Sequence, residues 1–514
     1  MSQPESSQLH RRLILNTGSN VIRHVVTMAV MLFLTPFIIR TLGDSLYGFW
    51  ILVMSFIGYA SLLEMSVQPA VVKMVAQYGA IDDSEKLEEL ISAAGSYFLG
   101  VGVVAGIFLI AVAPIIVANI SDLDGLTHTR YLFLGIALDA VILYMNYLFT
   151  GILYGRQKYH LKNIIDISGL LLSAALILRF LPSGGLLAII AAKLVTDVCV
   201  VTASAFAAKR VLPGLHIRPG ALRRRSFAEL FSFGGRIFIS GMTTRVATLA
   251  QPLIISTAIN AAATAFYAIP VRLCDYTRQL TWTLTTAFMP MFSELESRKE
   301  RDTIRKIYLS YTRYIFLALL AMVVLLFVYG GPFIGLWIGA EYLERGRIVL
   351  YLLVGTLFVE SFQPLLWRFF IGVSELNVLV KVSAISSLTV VALGAVLARF
   401  FNIAGVAFSV LAGAVIAQSI YALHACRYLE VSPFAMFLQV HARPLLASAL
   451  FYGFTVLLEA RLGSESYLPM IFGSCAGLIV YAGLAWSLAL TGGERTRVYK
   501  KFARRRPLPG ESVP

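Results

Sequence analysis

Residues 20–50 read NVIRHVVTMAVMLFLTPFIIRTLGDSLYGFW: an apolar run, a short polar turn, and the start of a second apolar run. A bilayer core needs about 20 mostly apolar residues in each helix that crosses it. The first run is too long for the apolar region of a removable signal peptide, and no small-residue cleavage site follows it before Arg40. The stretch therefore predicts a retained first membrane helix, closely followed by a second.

The same pattern continues along all 514 residues, of which 58% are hydrophobic and 14% are charged. Soluble domains carry about 25% charged residues. The divisions inside 163–207 and 377–424 rest on a few residues each, so twelve or thirteen spans are the alternatives to fourteen. The apolar runs predict an all-α, polytopic integral membrane protein with about 14 transmembrane helices, at 20–40, 46–72, 91–119, 131–154, 163–181, 184–207, 233–257, 261–291, 310–336, 347–372, 377–398, 403–424, 443–461 and 467–491.

The distribution of basic residues predicts the orientation of these spans. With a cytoplasmic N-terminus, the inner segments hold 29 Lys and Arg residues and the outer connections hold 7. Cytoplasmic loops of membrane proteins are enriched in Lys and Arg. We therefore expect both termini in the cytoplasm, which requires an even number of spans and favours fourteen over thirteen.

The net charge of +15 is explained by this topology and by anionic lipid headgroups. Nucleic acid is therefore not an expected partner, despite the basic runs 223–225 and 500–506. No Gly-rich phosphate loop follows a strand, and the four cysteines and seven histidines show no metal-ligand spacing. We expect no cofactor, no metal site and no ATP hydrolysis by this chain.

A basic linker at 208–232 divides the sequence into two similar halves. Six spans precede the linker (1–207, the N-lobe) and six follow it (233–424, the C-lobe), which is the layout of a transporter built from two bundles. Prolines recur at matching places, with Pro36 and Pro252 in the first helix of each half and Pro69 and Pro290 in the second. An accessory pair of spans (425–491) and a basic tail (492–514) complete the predicted organisation.

Charged residues inside the predicted spans are the candidate functional residues, because each one costs about 2.5–3.5 kcal/mol at mid-bilayer. Arg245 lies roughly 18 Å into span seven and Arg272 roughly 16 Å into span eight, at 1.5 Å per residue. Asp275 and Arg278 follow Arg272 at spacings of three, so the three residues share one helix face. Two arginines against one aspartate leave a positive excess, and the arginine fork suits an anionic ligand such as phosphate. The alternative is that Arg245 and Asp275 pair structurally, and that Arg278 reaches the inner interface.

The remaining interior charges are more mixed and are candidates for cavity charge or ion coupling. Lys193 and Asp197 are four residues apart on span six, so they are expected to pair with each other. Asp139 has no basic partner nearby in sequence, which leaves a cross-helix arginine, a raised pKa or a coupling role. The others are Glu64 in span two, Glu360 and Arg368 in span ten, and Arg23 near the inner end of span one.

Two stretches near the N-terminus resemble the polysaccharide-export flippases, the Wzx-type O-antigen flippase family of the MOP superfamily. In that family a proline-containing first helix runs into Arg-x-Leu-Gly and then Tyr-Gly. The stretch LLEMSVQPAVVKMVAQY, 62–78, is similar to the family's Leu-Leu-Asp-x-Gly segment and its continuation, but has Glu64, Ser66, Lys73 and Gln77 in place of Asp, Gly, Arg and Glu. The residues that match the first pattern are Pro36, Arg40, Leu42, Gly43, Tyr47 and Gly48.

This resemblance implies two six-helix lobes around a central cavity that opens alternately to each side, in the bacterial inner membrane. It implies a substrate of undecaprenyl-diphosphate-linked oligosaccharide, moved to the outer leaflet for surface polysaccharide biosynthesis. Arg245, Arg272 and Arg278 would then bind the diphosphate. Membrane lipids, polysaccharide polymerase or assembly proteins are the implied partners, and a monomer is expected.

Other classes of membrane protein fit the sequence less well. An ion-coupled exporter of drugs or organic cations, from the same superfamily, is the main alternative, but it predicts twelve spans and a cavity dominated by acidic residues. A polymerase or ligase needs a sizeable outer loop for catalytic groups, and the longest outer connections, 120–130 and 337–346, are short. The sequence therefore favours a transporter over an enzyme.

Overall fold

The computed structural model describes residues 3–60, 64–80, 83–118, 129–213, 242–243, 245–285, 288–490 and 494–495. These residues are helical almost throughout, and no strand occurs among them. The α-helices are α1 Gln3–Leu42, α2 Asp44–Ala60, α3 Glu64–Ala80, α4 Ser84–Ala118, α5 Thr129–Gly155, α6 Tyr159–Val211, α7 245–258, α8 Ala261–Thr285, α9 Phe288–Ser297, α10 Arg301–Trp337, α11 Ala340–Ser361, α12 Leu366–Gly372, α13 Leu376–Leu429, α14 Pro433–Met436, α15 Arg443–Leu462 and α16 Tyr467–Leu484. Two π-helical turns, Phe437–Ala442 and Ala485–Ala489, follow α14 and α16.

The helices of the described residues make the chain a multi-pass membrane protein. Eight of them are long and apolar enough to cross a membrane, or nine if the bent pair α11 and α12 is one span. Helix α8 is not among the eight, because every 18-residue stretch of it contains Arg272, Asp275 and Arg278. The count of fourteen spans therefore stays a prediction. Helix α8, which carries the charged face, is one of the helices that this count includes and that are not among the eight.

Two helices are each long enough for two crossings. Helix α6 has 53 residues and α13 has 54, which is about 80 Å at 1.5 Å per residue. Each contains a non-helical residue near its middle: Gly185 in α6 (φ 53, ψ −141) and Asn402 in α13 (φ 51, ψ −142). These breaks lie at or beside the gaps predicted at 182–183 and 399–402.

The second predicted span of each half contains two described helices. The region 46–72 holds most of α2 and the start of α3, and 261–291 holds α8 and the start of α9, while 61–63 and 286–287 lie outside the described residues. Each of these later helices contains the predicted proline, Pro69 in α3 and Pro290 in α9. Helix α1 also begins at Gln3, so the polar N-terminal segment that precedes the first span is helical from that residue onward.

The Gly43 and Tyr47-Gly48 motif has a steric explanation. Gly43 lies between α1 and α2 at φ +78, a conformation that other residues rarely adopt, so it permits the tight turn. Gly48, on α2, faces the first residue of α8: a Cβ added there would lie 1.7 Å from the carbonyl oxygen of Ala261. Glycine at this position therefore lets two helix backbones approach closely, as small residues commonly do in membranes.

The chain divides into two compact units. Unit 1 comprises Met1–Ala268 with Val391–Val406, and unit 2 comprises Ile269–Val390 with Ala407–Pro514. Part of α13 therefore belongs to unit 1, and α8 changes unit between Ala268 and Ile269. The predicted lobes 1–207 and 233–424 remain a prediction about the membrane bundles, and the linker that separates them lies outside the described residues from 214 to 232.

Candidate functional site: the charged face of α8

One face of α8 carries an arginine held between two carboxylates, all within unit 2. Arg278 donates from Nη1 to Oδ1 of Asp275 at 2.9 Å, one turn earlier on the same helix. It also donates from Nε to Oε2 of Glu360 on α11 at 3.0 Å. Arg272 lies three residues before Asp275 and is partly buried. The predicted excess of positive charge on this face is therefore reduced by Glu360, whose contact the sequence alone did not indicate.

A break between α11 and α12 sets the position of Glu360. Helix α11 ends at Ser361 and α12 begins at Leu366, with Pro364 between them supplying no backbone N–H. Because the backbone N–H of Leu366 bonds to the carbonyl of Gln363, the carbonyl oxygen of Phe362 accepts a 2.8 Å hydrogen bond from Nε2 of His441, in the π-helical turn before α15. The side chain of Gln363 accepts a hydrogen bond from the hydroxyl of buried Tyr308. The break is therefore held by side chains from two other helices.

Beyond the break, two tryptophans and an arginine pack together. The rings of Trp282 on α8 and Trp367 on α12 have centroids 5.6 Å apart and planes at 42°. The guanidinium of Arg368 lies 4.6 Å from the centroid of Trp282 and 6.0 Å from that of Trp367. These contacts place the predicted cavity residue Arg368 next to the charged face of α8.

A second charged cluster lies in unit 1, where Lys193 on α6 contacts two aspartates. Its ammonium group lies 3.0 Å from Oδ2 of Asp139 on α5 and also pairs with Asp197 one turn later on α6. The Lys193–Asp197 pair is as predicted. The partner of Asp139 is this lysine and not a cross-helix arginine, and the Asp139 side chain is 2% exposed. The cluster holds two negative charges and one positive charge.

The other predicted site residues do not join these two clusters among the described contacts. Arg245 is exposed on α7 in unit 1, and Arg23 is partly buried on α1. Glu64 is the first residue of α3, and its side chain lies outside the described part of the structure. Within the described residues no group of three or more His, Cys, Asp or Glu side chains is arranged to hold a metal ion.

Comparisons with known proteins agree with this architecture. The family model described as "Polysaccharide biosynthesis protein" matches residues 37–346. A Shigella flexneri protein whose name describes an O-antigen transporter is 23% identical over 354 residues, which cover 67% of this chain and 82% of that protein. The membrane protein EpsK of Bacillus subtilis (strain 168) is 22% identical over 370 residues, which cover 69% of this chain and 71% of EpsK.

Solved structures share the fold at low sequence identity. The inward closed conformation of the lipid II flippase MurJ matches with a TM-score of 0.67 and 12% identity, over 96% of this chain and 100% of MurJ. An inward-facing multidrug resistance MATE family transporter of the MOP superfamily matches with a TM-score of 0.64 and 15% identity, over 79% of this chain and 98% of the transporter. With this fold and a family match that spans more than half of its length, the chain belongs to the polysaccharide biosynthesis protein family.

Proposed function

We propose that this protein is a flippase that moves an undecaprenyl-diphosphate-linked oligosaccharide from the cytoplasmic to the outer leaflet of the bacterial inner membrane, by alternating access. The observation that carries the proposal is the charged face of α8, because a family of polysaccharide biosynthesis proteins handles glycans on anionic lipid carriers. Such a carrier presents a diphosphate that must cross the low-dielectric bilayer core. A row of arginines inside a membrane helix supplies the opposite charge where it is needed.

In unit 2 three arginines lie on or beside this face. They are Arg272, Arg278 and Arg368, and the acidic residues Asp275 and Glu360 both contact Arg278. The planar guanidinium binds two oxygens of a phosphate at once, which gives direction as well as charge. We propose Arg272 as the principal diphosphate ligand. Arg278, which Asp275 and Glu360 hold in position, is the second ligand. Arg245 in unit 1 stays a candidate ligand.

The cluster of Asp139, Lys193 and Asp197 is our candidate for coupling transport to an ion gradient. A lysine that contacts two carboxylates leaves one carboxylate that a proton neutralises without removing the ion pair. Glu64 and Glu360 are further candidates on charge alone. The same cluster favours the alternative function, a cation-coupled multidrug exporter, since it places a net negative charge in a fold that multidrug transporters share.

The test is the fate of the lipid-linked glycan in cells that depend on this chain. We expect Arg272→Ala to insert normally, to lose surface polysaccharide and to accumulate undecaprenyl-diphosphate oligosaccharide on the inner leaflet. Arg272→Lys, which keeps the charge but not the fork, should retain part of the activity. Arg399→Ala is the matched control, because Arg399 is exposed on α13 in a predicted outer connection and should support full export.

Two results would contradict the proposal, the first for its diphosphate ligand and the second for the flippase itself. Normal surface polysaccharide in the Arg272→Ala strain would remove Arg272 from the substrate path. Normal polysaccharide in a strain that lacks the protein, combined with an altered resistance to organic cations, would favour the multidrug exporter.

A further inference from the structure

Trp282 lies on the charged face of α8. At 100° per residue, Trp282 falls between Asp275 and Arg278, and all of them share a sector of about 120° with Arg272. The Trp282 side chain is 56% exposed. An exposed indole usually anchors a helix at the lipid interface. An indole on the same helix face as two arginines and an aspartate is less suited to contact with lipid than an indole on an apolar face.

Trp367 and Arg368 turn this exposed ring into a defined surface. The ring centroids of the two tryptophans are 5.6 Å apart, and the guanidinium carbon of Arg368 lies over the Trp282 ring, 4.6 Å from its centroid. A guanidinium over an aromatic face can still donate hydrogen bonds from the N–H groups around its edge. Among the described residues Arg368 forms no ion pair, so these donors are available to a ligand.

An exposed indole with hydrogen-bond donors beside it suits a sugar ring, and Trp367, which is partly buried against the neighbouring core, supports that indole from one side. The C–H face of a pyranose packs on an indole, and its hydroxyl or ring-substituent oxygens accept hydrogen bonds from the guanidinium. Trp282 follows Arg278 by four residues, which is about 6 Å along the helix axis. A diphosphate that contacts Arg278 would therefore place its next group at the tryptophans, whereas Arg272 lies ten residues, or about 15 Å, from Trp282.

We propose that Trp282, Trp367 and Arg368 form a binding shelf for the pyranose that is attached directly to the diphosphate of the lipid carrier. This inference rests on the proposed function, since the diphosphate is what brings the sugar to the shelf. The shelf selects carriers that bear a first sugar over carriers that bear none.

The test compares two short-chain probes, farnesyl diphosphate and farnesyl-diphosphate-linked N-acetylglucosamine, by calorimetric titration of the purified full-length protein. The wild type should bind the sugar-bearing probe about tenfold more tightly than the sugar-free probe. Trp282→Ala should reduce this ratio to near one while leaving the affinity for farnesyl diphosphate unchanged. Trp282→Phe, which keeps an aromatic face, should preserve most of the ratio.

The matched control is Trp486→Ala, which removes another exposed tryptophan from the π-helical turn after α16, outside the shelf. It should leave the ratio at the wild-type value. Three outcomes overturn the shelf: equal affinity of the wild type for both probes, an unchanged ratio in Trp282→Ala, or an equal loss of both affinities in that variant. Failure of the wild type to bind either probe would instead count against the diphosphate site of the proposed function.

Discussion

At the scale of single residues, loss of the Lys193 side chain should lower the stability of the protein. It contacts both Asp139 and Asp197, and Asp139 is almost completely buried. Removing one partner of a buried ion pair leaves an uncompensated charge, which costs about 3–5 kcal/mol. We expect Lys193→Met to lower the free energy of unfolding by this amount, which is measured as a lower folded yield and a lower Tm in detergent. The double variant Asp139→Asn/Lys193→Met should recover much of the lost Tm.

The double variant is the decisive comparison, because its Tm recovers only if the unpaired charge of Asp139 destabilises Lys193→Met. Lys381→Met, at an exposed position on α13, is the control and should leave the Tm nearly unchanged. If Lys193→Met and the double variant are equally unstable, the lysine acts through packing and the ion pair with Asp139 contributes little.

Lys193 and Arg278 each have one partner on their own helix, which could be predicted, and one partner on another helix, which could not. Lys193–Asp197 and Arg278–Asp275 lie one helical turn apart, so helix geometry alone predicts them. The contacts of Lys193 with Asp139 and of Arg278 with Glu360 join different helices. Nothing in a single sequence fixes which faces of two helices meet, so these partners became visible only in the structure.

At the scale of helices, the two halves repeat the same backbone events at a constant offset. Gln157 before α6 and Ser374 before α13 both have positive φ, at 56° and 62°, and are 217 residues apart. Gly185 and Asn402, also 217 residues apart, break α6 and α13 with nearly identical dihedral angles. The proline pairs indicated such a repeat from sequence, and the recurring breaks support it independently.

The breaks in α6 and α13 predict opposite effects of two substitutions. The conformation at Gly185 and Asn402 is one that glycine adopts freely and that costs other residues about 1–3 kcal/mol. Gly185→Ala should therefore lower the free energy of unfolding by that amount, although a Cβ there meets no atom within 4 Å. Asn402→Gly should raise it slightly. The measurement is the Tm in detergent for both variants, with Gly453→Ala, in an open helical position, as the control. Equal shifts for Gly185→Ala and the control would refute the argument.

The contact between α2 and α8 predicts a larger effect of a single methyl group. A Cβ on Gly48 would overlap the carbonyl of Ala261, so Gly48→Ala must push two helix backbones apart. We expect a severe loss of folded protein, which fluorescence-detected size-exclusion chromatography would measure. Gly100→Ala, on α4, meets no neighbour within 4 Å and should be neutral or slightly stabilising. A stable Gly48→Ala protein would mean that this contact is adaptable.

At the scale of the whole molecule, the sequence predicted the all-helical membrane class and the family from composition, apolar length and short motifs. The number of spans is harder to predict than the class. Helix α8 is a predicted membrane helix, but its three charged residues exclude it from the helices that are apolar enough to cross a membrane. The positions of the helix breaks followed from the short gaps between apolar runs. The division into compact units did not, since it depends on contacts between helices far apart in sequence.

The predicted orientation gives a test at the same scale. If both termini are cytoplasmic, green fluorescent protein fused after residue 514 should fluoresce, and alkaline phosphatase fused there should be inactive. The connection between α15 and α16, near Gly463, should show the reverse pattern. Phosphatase activity at the C-terminus would contradict the topology deduced from the basic residues.

The hydrogen bond from His441 to Phe362 also bears on the order in which the protein is made. His441 follows Phe362 by 79 residues, so at about 5–20 residues per second the ribosome finishes the break roughly 4–16 s before it adds the donor that caps it. During that interval the carbonyl of Phe362 lacks this partner, and the position of Glu360 beside Arg278 lacks one of its supports. His441, just before α15, thus links the accessory pair of helices to the break between α11 and α12, although the pair lies outside the internal repeat. A chain released before residue 441 would lack this support for Glu360, the carboxylate that contacts the charged face of α8.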